Sequence, residues 1–575
     1  MNPAVNPALR LQLPAWRSRL MLLSLLAGFA VLIGRAIYLQ GMHNDFLRER
    51  GEARYGRVIE ITAHRGIIMD RHGEPLAVST PVESVWASPD DVRIAPEQER
   101  QLSKLLAMSV SELRKRLEDK RRDFVYLRRQ LPPDDAAKVV SLHLPGVFLQ
   151  REYRRYYPAG EIASHLVGFT SVDETGQEGL ELALQDWLAG KPGSRRVIKD
   201  RLGHIVEDVE SIRAPQEGRD LYLSIDSKIQ YLAYRELKNA VLSHKARAGG
   251  IVVLDAKTGE VLALANYPSY NPNNRDTRDP ERYRNRAVTD LFEPGSTLKP
   301  FTAAAALAAG LYTADTVIQT APGRLEVSGK TIHDAHPQGA LTVAQVIQKS
   351  SNVGAAKMAL SLPKEKLWSV LSGVGFGALP QSGLPGEVAG RLRPYPSWRP
   401  IEQATLSYGH GISVSLLQLA RAYSIFTSDG ELTPLTIVRA DNPPTPERVL
   451  KPQAAIAVRR MLEMATQTGG TAPKAQVRGY RVAGKTGTAH KLENGGYAPD
   501  KYVSSFVGFA PVTDPRLIVA VMIDDPRNGE YYGGLVAAPV FSTVMAGTLR
   551  LLAVPPDAPE ALGSPLDAVQ IKEEV

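Results

Sequence analysis

Ser296-Thr-Leu-Lys299 places a hydroxyl and an amine three residues apart. On a helix, side chains at i and i+3 share a face with Cβ atoms about 5–6 Å apart, so an unprotonated amine can take the serine proton and make the hydroxyl a nucleophile. Alone the pattern is weak, because a chain this long should contain about two by chance. Ser361-Leu-Pro-Lys364 is the second. Two partner patterns are also duplicated: Ser-x-Asn at Ser269-Tyr-Asn271 and Ser350-Ser-Asn352, and Lys-Thr-Gly at Lys257-Thr-Gly259 and Lys485-Thr-Gly487. Order along the chain separates them. Only Ser296/Lys299, then Ser350/Asn352, then Lys485/Thr486/Gly487 gives S-x-x-K, S-x-N and K-T-G in succession.

The elements that must position these residues are legible around them. Ser296 follows Glu293-Pro-Gly295 and opens an alanine-rich helix, Phe301 to Ala309, with Gly310 as its C′ residue. The backbone N–H of Ser296 then lies among the unpaired donors of a helix start, where negative charge is favoured. Lys485-Thr-Gly-Thr488 sits in an extended run, whereas Lys257-Thr-Gly259 reads as a hairpin turn between Gly250–Leu254 and Glu260–Ala265. A short strand, Leu221 to Ile225, leads into Asp226 as N-cap of a helix over Ser227–Leu242. A late strand pair, Ser504–Ala510 and Arg516–Ile523, is joined by a turn too short for a crossover, so it is antiparallel. An amphipathic helix over Ala537–Leu552 follows. The fold class is α+β: an antiparallel sheet flanked by helices, with the helices inserted between its early and late strands.

The 575 residues contain no cysteine, which excludes a disulfide framework, thiolate metal sites and a cysteine nucleophile. With 69 basic against 61 acidic residues the net charge of +8 is too thinly spread to argue nucleic-acid binding. The 11 histidines show no H-E-x-x-H or paired spacing that would suggest a metal. Leu20 to Gly34 is apolar apart from Ser24. Fifteen residues cover about 22 Å of a roughly 30 Å hydrocarbon core, so a membrane helix should continue to Leu39 with Arg35 snorkelling outward. Charge does not orient it, since Arg35, Arg48, Arg50 and Arg54 balance Arg10, Arg17 and Arg19. The division expected is a tail over 1–19, a transmembrane helix over 20–40, a charged domain over 41–216, an α+β domain over 217–555 and a disordered tail over 556–575. Within 41–216, Ser111 to Arg122 reads as a helix and Arg151 to Tyr157 as a basic, aromatic surface.

The ordered motifs, set in Arg286 to Pro300, Lys349-Ser-Ser-Asn-Val-Gly354 and Val482 to Ala489, resemble the penicillin-binding transpeptidases. Upstream, Arg65 to Gly73, Arg155-Tyr-Tyr-Pro-Ala-Gly160 and Gly176 to Glu181 are similar to pedestal motifs of the class B penicillin-binding proteins, nearest to the division-specific penicillin-binding protein 3 branch of Gram-negative bacteria. The resemblance implies a membrane-anchored pedestal (dimerisation-type) domain followed by a peptidoglycan D,D-transpeptidase, a target of β-lactams acting in septal wall synthesis, with neither metal nor cofactor required. Ser296 would attack the penultimate D-Ala carbonyl of a stem peptide with Lys299 as base, its pKa lowered by burial beside Lys485. Ser350 would relay the proton, Asn352 would hold the donor amide, and Lys485, Thr486 and Thr488, with Gly487 between them, would bind the terminal carboxylate. The backbone N–H groups of Ser296 and Thr488 would form the oxyanion hole. Tyr408, His410, His490, Tyr531, Tyr532 and Gly534 would line the substrate cleft. The resemblance places the chain in the bacterial inner membrane, N-terminus cytoplasmic and body periplasmic, beside a lipid-II polymerase and other division proteins.

Three positions depart from the family pattern: His72 where Asn is usual, His410 where Tyr is commoner and His490 where Arg, Lys or Gln is. If His410 and His490 keep ordinary pKa values near 6.5, binding would strengthen in mild acid, marking a specialised paralogue. Two other functions share the motifs. A catalytically idle scaffold or sensor would bind β-lactams without cross-linking, and a serine β-lactamase would hydrolyse them.

Overall fold

The computed structural model describes residues 15–38, 56–122, 124–199, 205–274, 279–439, 442, 444–493 and 495–559. Residues 1–14, Leu39, the region around Arg48 to Arg54 and the tail from 560 lie outside them. Helix α1, Ala15–Ile37, has 23 residues and every one is exposed. At 1.5 Å per residue it reaches about 34 Å, enough to cross a bilayer. Trp16 to Arg19 extend the helix on its N-terminal side, and Leu39 lies outside the described residues.

Contacts divide the chain into two compact units. Glu83–Gln150 and Lys191–Glu217 belong to one, with the N-terminal segment through Ala63; His64–Val82, Arg151–Gly190 and Gly218–Val575 belong to the other. The first unit is built on a small core that includes Val85, Leu102, Leu113, Leu127 and Val139. Its helix Val110–Leu117 starts at the Ser109 cap, whose hydroxyl accepts from Glu112 N at 3.1 Å. The helix stops five residues before the predicted Arg122. Asp119 takes the Arg121 N–H on its side chain, offering the backbone a partner that helix would deny it.

In the second unit, Arg155 and Tyr157 do not lie on a surface: they are 2% and 3% exposed. Glu181 accepts from Arg65 Nε at 2.7 Å and from Arg155 Nε at 2.6 Å, a buried triad in which one carboxylate serves two guanidinium groups. The upstream motifs therefore meet inside the same body that carries the catalytic motifs.

That body is organised by one sheet. Helix α2, Ser227–Ser243, is capped by Asp226, which accepts from Lys228 N and Ile229 N. Strands β1 (Ala248–Asp255) and β2 (Val261–Tyr267) form the early hairpin. Helices α3 (Lys299–Ala308), α4 (Val343–Lys349) and α5 (Asn352–Ser361) come from the insertion. Strands β3 (Ala483–Glu493), β4 (Gly496–Ala510) and β5 (Leu517–Asp524) complete the sheet in the order β2-β1-β5-β4-β3, every pair antiparallel, before α6 (Ala538–Leu551). The early and late hairpins join through β1 and β5, and β3 is left at the edge.

Both sheet faces are covered, which is why β1 and β5 read as unbroken apolar runs. Ile251, Val253, Val519 and Val521 share a core with α2 and α6. Val252, Leu254, Ile518 and Ala520 face the other way and join the core of the inserted helices. The chain past Val554 is tied down rather than loose at first: Asp557 accepts from Arg481 N at 2.7 Å, and Ala558 N donates to Gly479 O at 3.0 Å.

Candidate active site

Ser296 lies on a 3-10 turn, Gly295–Leu298, that runs directly into α3. Lys299 is the first residue of α3, and its side chain is fully buried. Its Nζ donates to Ser296 Oγ at 2.9 Å, to Ser350 Oγ at 3.0 Å and to the Ser350 carbonyl at 2.7 Å. That carbonyl faces inward because Ser350, the residue after α4, adopts a left-handed conformation with φ 62° and ψ 40°. Lys485 on edge strand β3 donates to Ser350 Oγ at 3.0 Å and to Thr486 Oγ1 at 3.3 Å. Three stretches of chain thus close one network around two buried amines and two hydroxyls.

The electrostatics follow from that closure. Burial, then the Lys485 charge, push the Lys299 pKa well below its ordinary value, with Asp334 opposing them. Burial also brings Lys485 down to about 7. Burial thus lowers both amines, and the Lys485 charge adds to the lowering of Lys299. An amine so placed can accept a hydroxyl proton at neutral pH.

Two glycines set the closeness of the walls. A Cβ on Gly487 would meet Ser505 Oγ at 2.3 Å and the Pro294 carbonyl at 2.7 Å, so β3 lies against the Ser296 turn only because position 487 has no side chain. Gly409, with φ 88°, crosses the same turn: its carbonyl accepts from Gly295 N at 3.3 Å, and a Cβ would meet Gly295 O at 2.1 Å. The Thr488 backbone is adjacent, 3.6 Å at its nitrogen from where a Gly295 Cβ would sit. This packing brings the Ser296 and Thr488 segments together, as an oxyanion hole requires.

The other residues expected at the cleft differ in exposure and partners. Asn352 is half-buried and donates through Nδ2 to His333 O at 2.8 Å, leaving its side-chain oxygen for a ligand. Tyr531 and the exposed Tyr532 form an aromatic wall with Tyr502, which stacks on Tyr531 at 4.1 Å and 14°. Thr488 Oγ1 accepts from Gly533 N at 3.0 Å, joining that wall to the strand. Gly534 lies under it, where a Cβ would come 2.4 Å from Thr471 O. Tyr408 is only 8% exposed and packs with Ala355, Ala356 and Ala404.

His410 differs from the mild-acid expectation. The His410 ring lies between Tyr408 and Tyr497, at 5.2 and 5.9 Å, and burial pushes its pKa down to about 4. It stays neutral at the pH values where a titration near 6.5 was expected. His490 is exposed, with Nδ1 3.0 Å from Ala498 O and its ring 4.6 Å from Tyr502. His72 is a turn residue whose N–H donates to Asp70, with Nε2 3.0 Å from Asp226.

Three supporting residues carried no sequence signal of a role. Asp334, 9% exposed, accepts from Ser351 Oγ at 2.8 Å, Asn352 N at 2.5 Å and Val353 N at 3.0 Å, and so clamps the start of α5. Thr471 accepts from Thr486 Oγ1 at 3.1 Å. Glu293, whose pKa burial raises, accepts from Gly411 N at 2.8 Å and Tyr497 Oη at 3.0 Å. Each partner lies far away in sequence, where no spacing rule could reach it. Among the described residues no cluster of His, Asp and Glu is arranged to hold a metal ion.

Comparison with known proteins agrees with this geometry. Residues 249–546 match the penicillin binding protein transpeptidase domain, and residues 60–223 match the penicillin-binding protein dimerisation domain. The chain is 45% identical over 547 residues to the probable peptidoglycan D,D-transpeptidase PenA of Neisseria gonorrhoeae, covering 94% of each. It is 43% identical over 550 residues to the peptidoglycan D,D-transpeptidase FtsI of Escherichia coli K12, covering 95% of this chain and 93% of that one. Among solved structures, the transpeptidase domain of Burkholderia pseudomallei penicillin-binding protein 3 aligns with a TM-score of 0.55 at 50% identity, over 59% of this chain and 98% of that one. Penicillin-binding protein 3 of Mycobacterium tuberculosis, complexed with aztreonam, aligns with a TM-score of 0.69 at 29% identity, over 87% and 99%. Motif order, a buried two-lysine network and similarity across nearly the whole length lead to one conclusion: the chain belongs to the penicillin-binding protein transpeptidase family.

Proposed function

We propose that this chain is a peptidoglycan D,D-transpeptidase that cross-links stem peptides through an acyl-enzyme on Ser296. The observation that carries the reading is the 2.9 Å contact from Lys299 Nζ to Ser296 Oγ, in a site where burial and the Lys485 charge push the Lys299 pKa well below its ordinary value. Ser296 Oγ attacks the carbonyl of the penultimate D-Ala, and its proton passes to Lys299. The oxyanion forms against the backbone N–H groups of Ser296 and Thr488, each typically worth about 3–4 kcal/mol. On collapse the C–N bond breaks, and the leaving D-Ala amine takes the proton back from Lys299 through Ser350 Oγ, which touches both lysines. Charged Lys485, with Thr486 and Thr488, holds the terminal carboxylate. Asn352 orients the donor amide, and Tyr408, His410, His490, Tyr531, Tyr532 and Gly534 shape the cleft. An amine from a second stem peptide then attacks the acyl-enzyme and releases the cross-linked product. β-Lactams enter as donor mimics and stop at the acyl stage.

The long exposed helix α1 supports a single-pass anchor, and the wall substrate puts the catalytic body outside the cytoplasmic membrane with residues 1–19 inside. The similarity to FtsI supports work at the division septum, with a lipid-II polymerase and other division proteins as partners. Incubating the full-length protein in detergent with pentapeptide donor and a stem-peptide acceptor tests the chemistry. Free D-Ala and cross-linked dimer are expected in equal amounts, both absent with Ser296→Ala. Penicillin labelling without D-Ala release would instead favour a sensor, and rapid hydrolysis of the drug a β-lactamase.

A further inference from the structure

The hydrogen-bonded network around the two lysines does not end at Lys485. From Lys299 it runs through Ser350 Oγ to Lys485 Nζ, which donates to Thr486 Oγ1 at 3.3 Å, and Thr486 Oγ1 in turn donates to Thr471 Oγ1 at 3.1 Å. Thr471 belongs to none of the three ordered motifs. It closes the loop that follows the helix Pro452–Thr466, and that loop is tied to both neighbouring segments of the site. Lys349, the last residue of α4 and the neighbour of Ser350, donates through Nζ to Gly469 O at 2.8 Å. Thr466 Oγ1 donates to Val482 O at 2.6 Å, just before β3. The N–H of the fully buried Ala472 donates to Ala465 O at 2.9 Å and folds the loop back on its own helix. Thr471 is therefore held beside Thr486 by contacts that do not use its hydroxyl, and among the described residues that hydroxyl meets Thr486 alone.

A hydroxyl carries one proton and two lone pairs. Thr486 accepts from Lys485 and directs its proton to Thr471. A carboxylate bound beside Lys485 needs that same proton, because Thr486 has no other to give. The carboxylate is the stronger acceptor, since hydrogen bonds to ionised groups are roughly twice as strong as neutral ones. Once the proton turns to it, two hydroxyl oxygens would face each other with no proton between them, unless Thr471 turns as well. A hydroxyl can turn, because it donates as readily as it accepts; a fixed acceptor such as a carbonyl could not follow. We propose that Thr471 is a positioning residue of the carboxylate subsite: its hydroxyl accepts from Thr486 before a donor or β-lactam binds and donates to Thr486 afterwards, so that the Thr486 proton reaches the ligand carboxylate with no partner lost. Reversed in this way, Thr486 Oγ1 accepts from both Lys485 and Thr471 while it donates, and hydrogen bonds in such a chain strengthen one another. Thr471 acts through Thr486 and favours an anionic ligand end over a neutral one. The inference rests on the reading of Lys485 and Thr486 as the carboxylate site.

Acylation of the full-length protein by benzylpenicillin and by its carboxamide, followed as rate against drug concentration, tests it. The ratio of the two second-order rate constants reads the preference for a carboxylate. Because the ratio is internal to each variant, partial loss of folded protein does not alter it. In Thr471→Val, which keeps the shape and removes the hydroxyl, the ratio should fall about threefold or more, through a higher half-saturating concentration of benzylpenicillin at an unchanged limiting rate. Thr471→Ser, which keeps a hydroxyl, should bring the ratio back. An unchanged or raised ratio in Thr471→Val, whether or not both drugs react more slowly, would overturn the inference and make Thr471 a brace between loop and strand, leaving the carboxylate-site reading in place. Equal rate constants for the two drugs with wild type would overturn both.

Discussion

Two groups of buried cations lie in the same body of this molecule and have opposite characters. Arg65 and Arg155 share Glu181, which accepts from both within 2.7 Å, and neither guanidinium is more than 2% exposed. Lys299 and Lys485 are equally buried but are bridged by the neutral Ser350 hydroxyl, with no carboxylate among the described residues in hydrogen-bond contact. Guanidinium groups stay charged in proteins and suit a fixed two-pronged contact, whereas an amine can lose its proton when desolvated. The group that holds a carboxylate is architecture. The group without one has its pKa values lowered, and displaced values are what acid–base chemistry at neutral pH needs.

The contrast can be broken at four points. Removing the base with Lys299→Met should slow penicillin acylation about a thousandfold, read by stopped-flow or gel labelling, without weakening the fold. Removing the shared carboxylate with Glu181→Gln should do the reverse. Two guanidinium groups would be left uncompensated at a cost of about 3–5 kcal/mol, seen as a lower Tm, while the folded fraction acylates normally. Lys485→Met should cost roughly a hundredfold and also reshape the pH profile. In wild type, acylation rises with pH as Lys299 loses its proton and falls again above about 7 as Lys485 loses the charge that binds the carboxylate. Without Lys485 the alkaline fall disappears. The acid limb moves to higher pH, because a cation that repelled the Lys299 proton is gone.

Asp334→Asn should have the smallest effect, about tenfold, since an amide oxygen can still accept from the α5 amides. It also removes the negative charge that favours protonated Lys299, so the acid limb should move to lower pH, opposite to Lys485→Met. A rate loss with no movement of that limb would reduce Asp334 to a structural clamp.

The two groups were not equally legible in the sequence. Lys299 could be read because its partner is three residues away on a regular element, and the remaining motifs because their order is unique. The same tripeptide in two settings shows what local context decides. Lys257-Thr-Gly259 turns back on Asp255, whose side chain accepts from Lys257 N, and Lys257 pairs with Asp514 at the surface. Lys485-Thr-Gly487 lies flat on an edge strand with its lysine inside. Asp334, Thr471 and Tyr502 were illegible because their contacts join segments separated by loops of arbitrary length. Arg155 was misjudged for the same reason: a basic, aromatic stretch looks like surface until Glu181 is brought to it. His410 did not keep its expected titration, since burial depends on Tyr408 and Tyr497 closing around it.

The account rests on Ser296 being the nucleophile that Lys299 activates. Peptide mapping of the full-length protein after exposure to benzylpenicillin tests that directly. One adduct with the mass of intact penicillin is expected, on the fragment containing Ser296, and none in Ser296→Ala. An adduct on any other fragment, or one retained by Ser296→Ala, would contradict it.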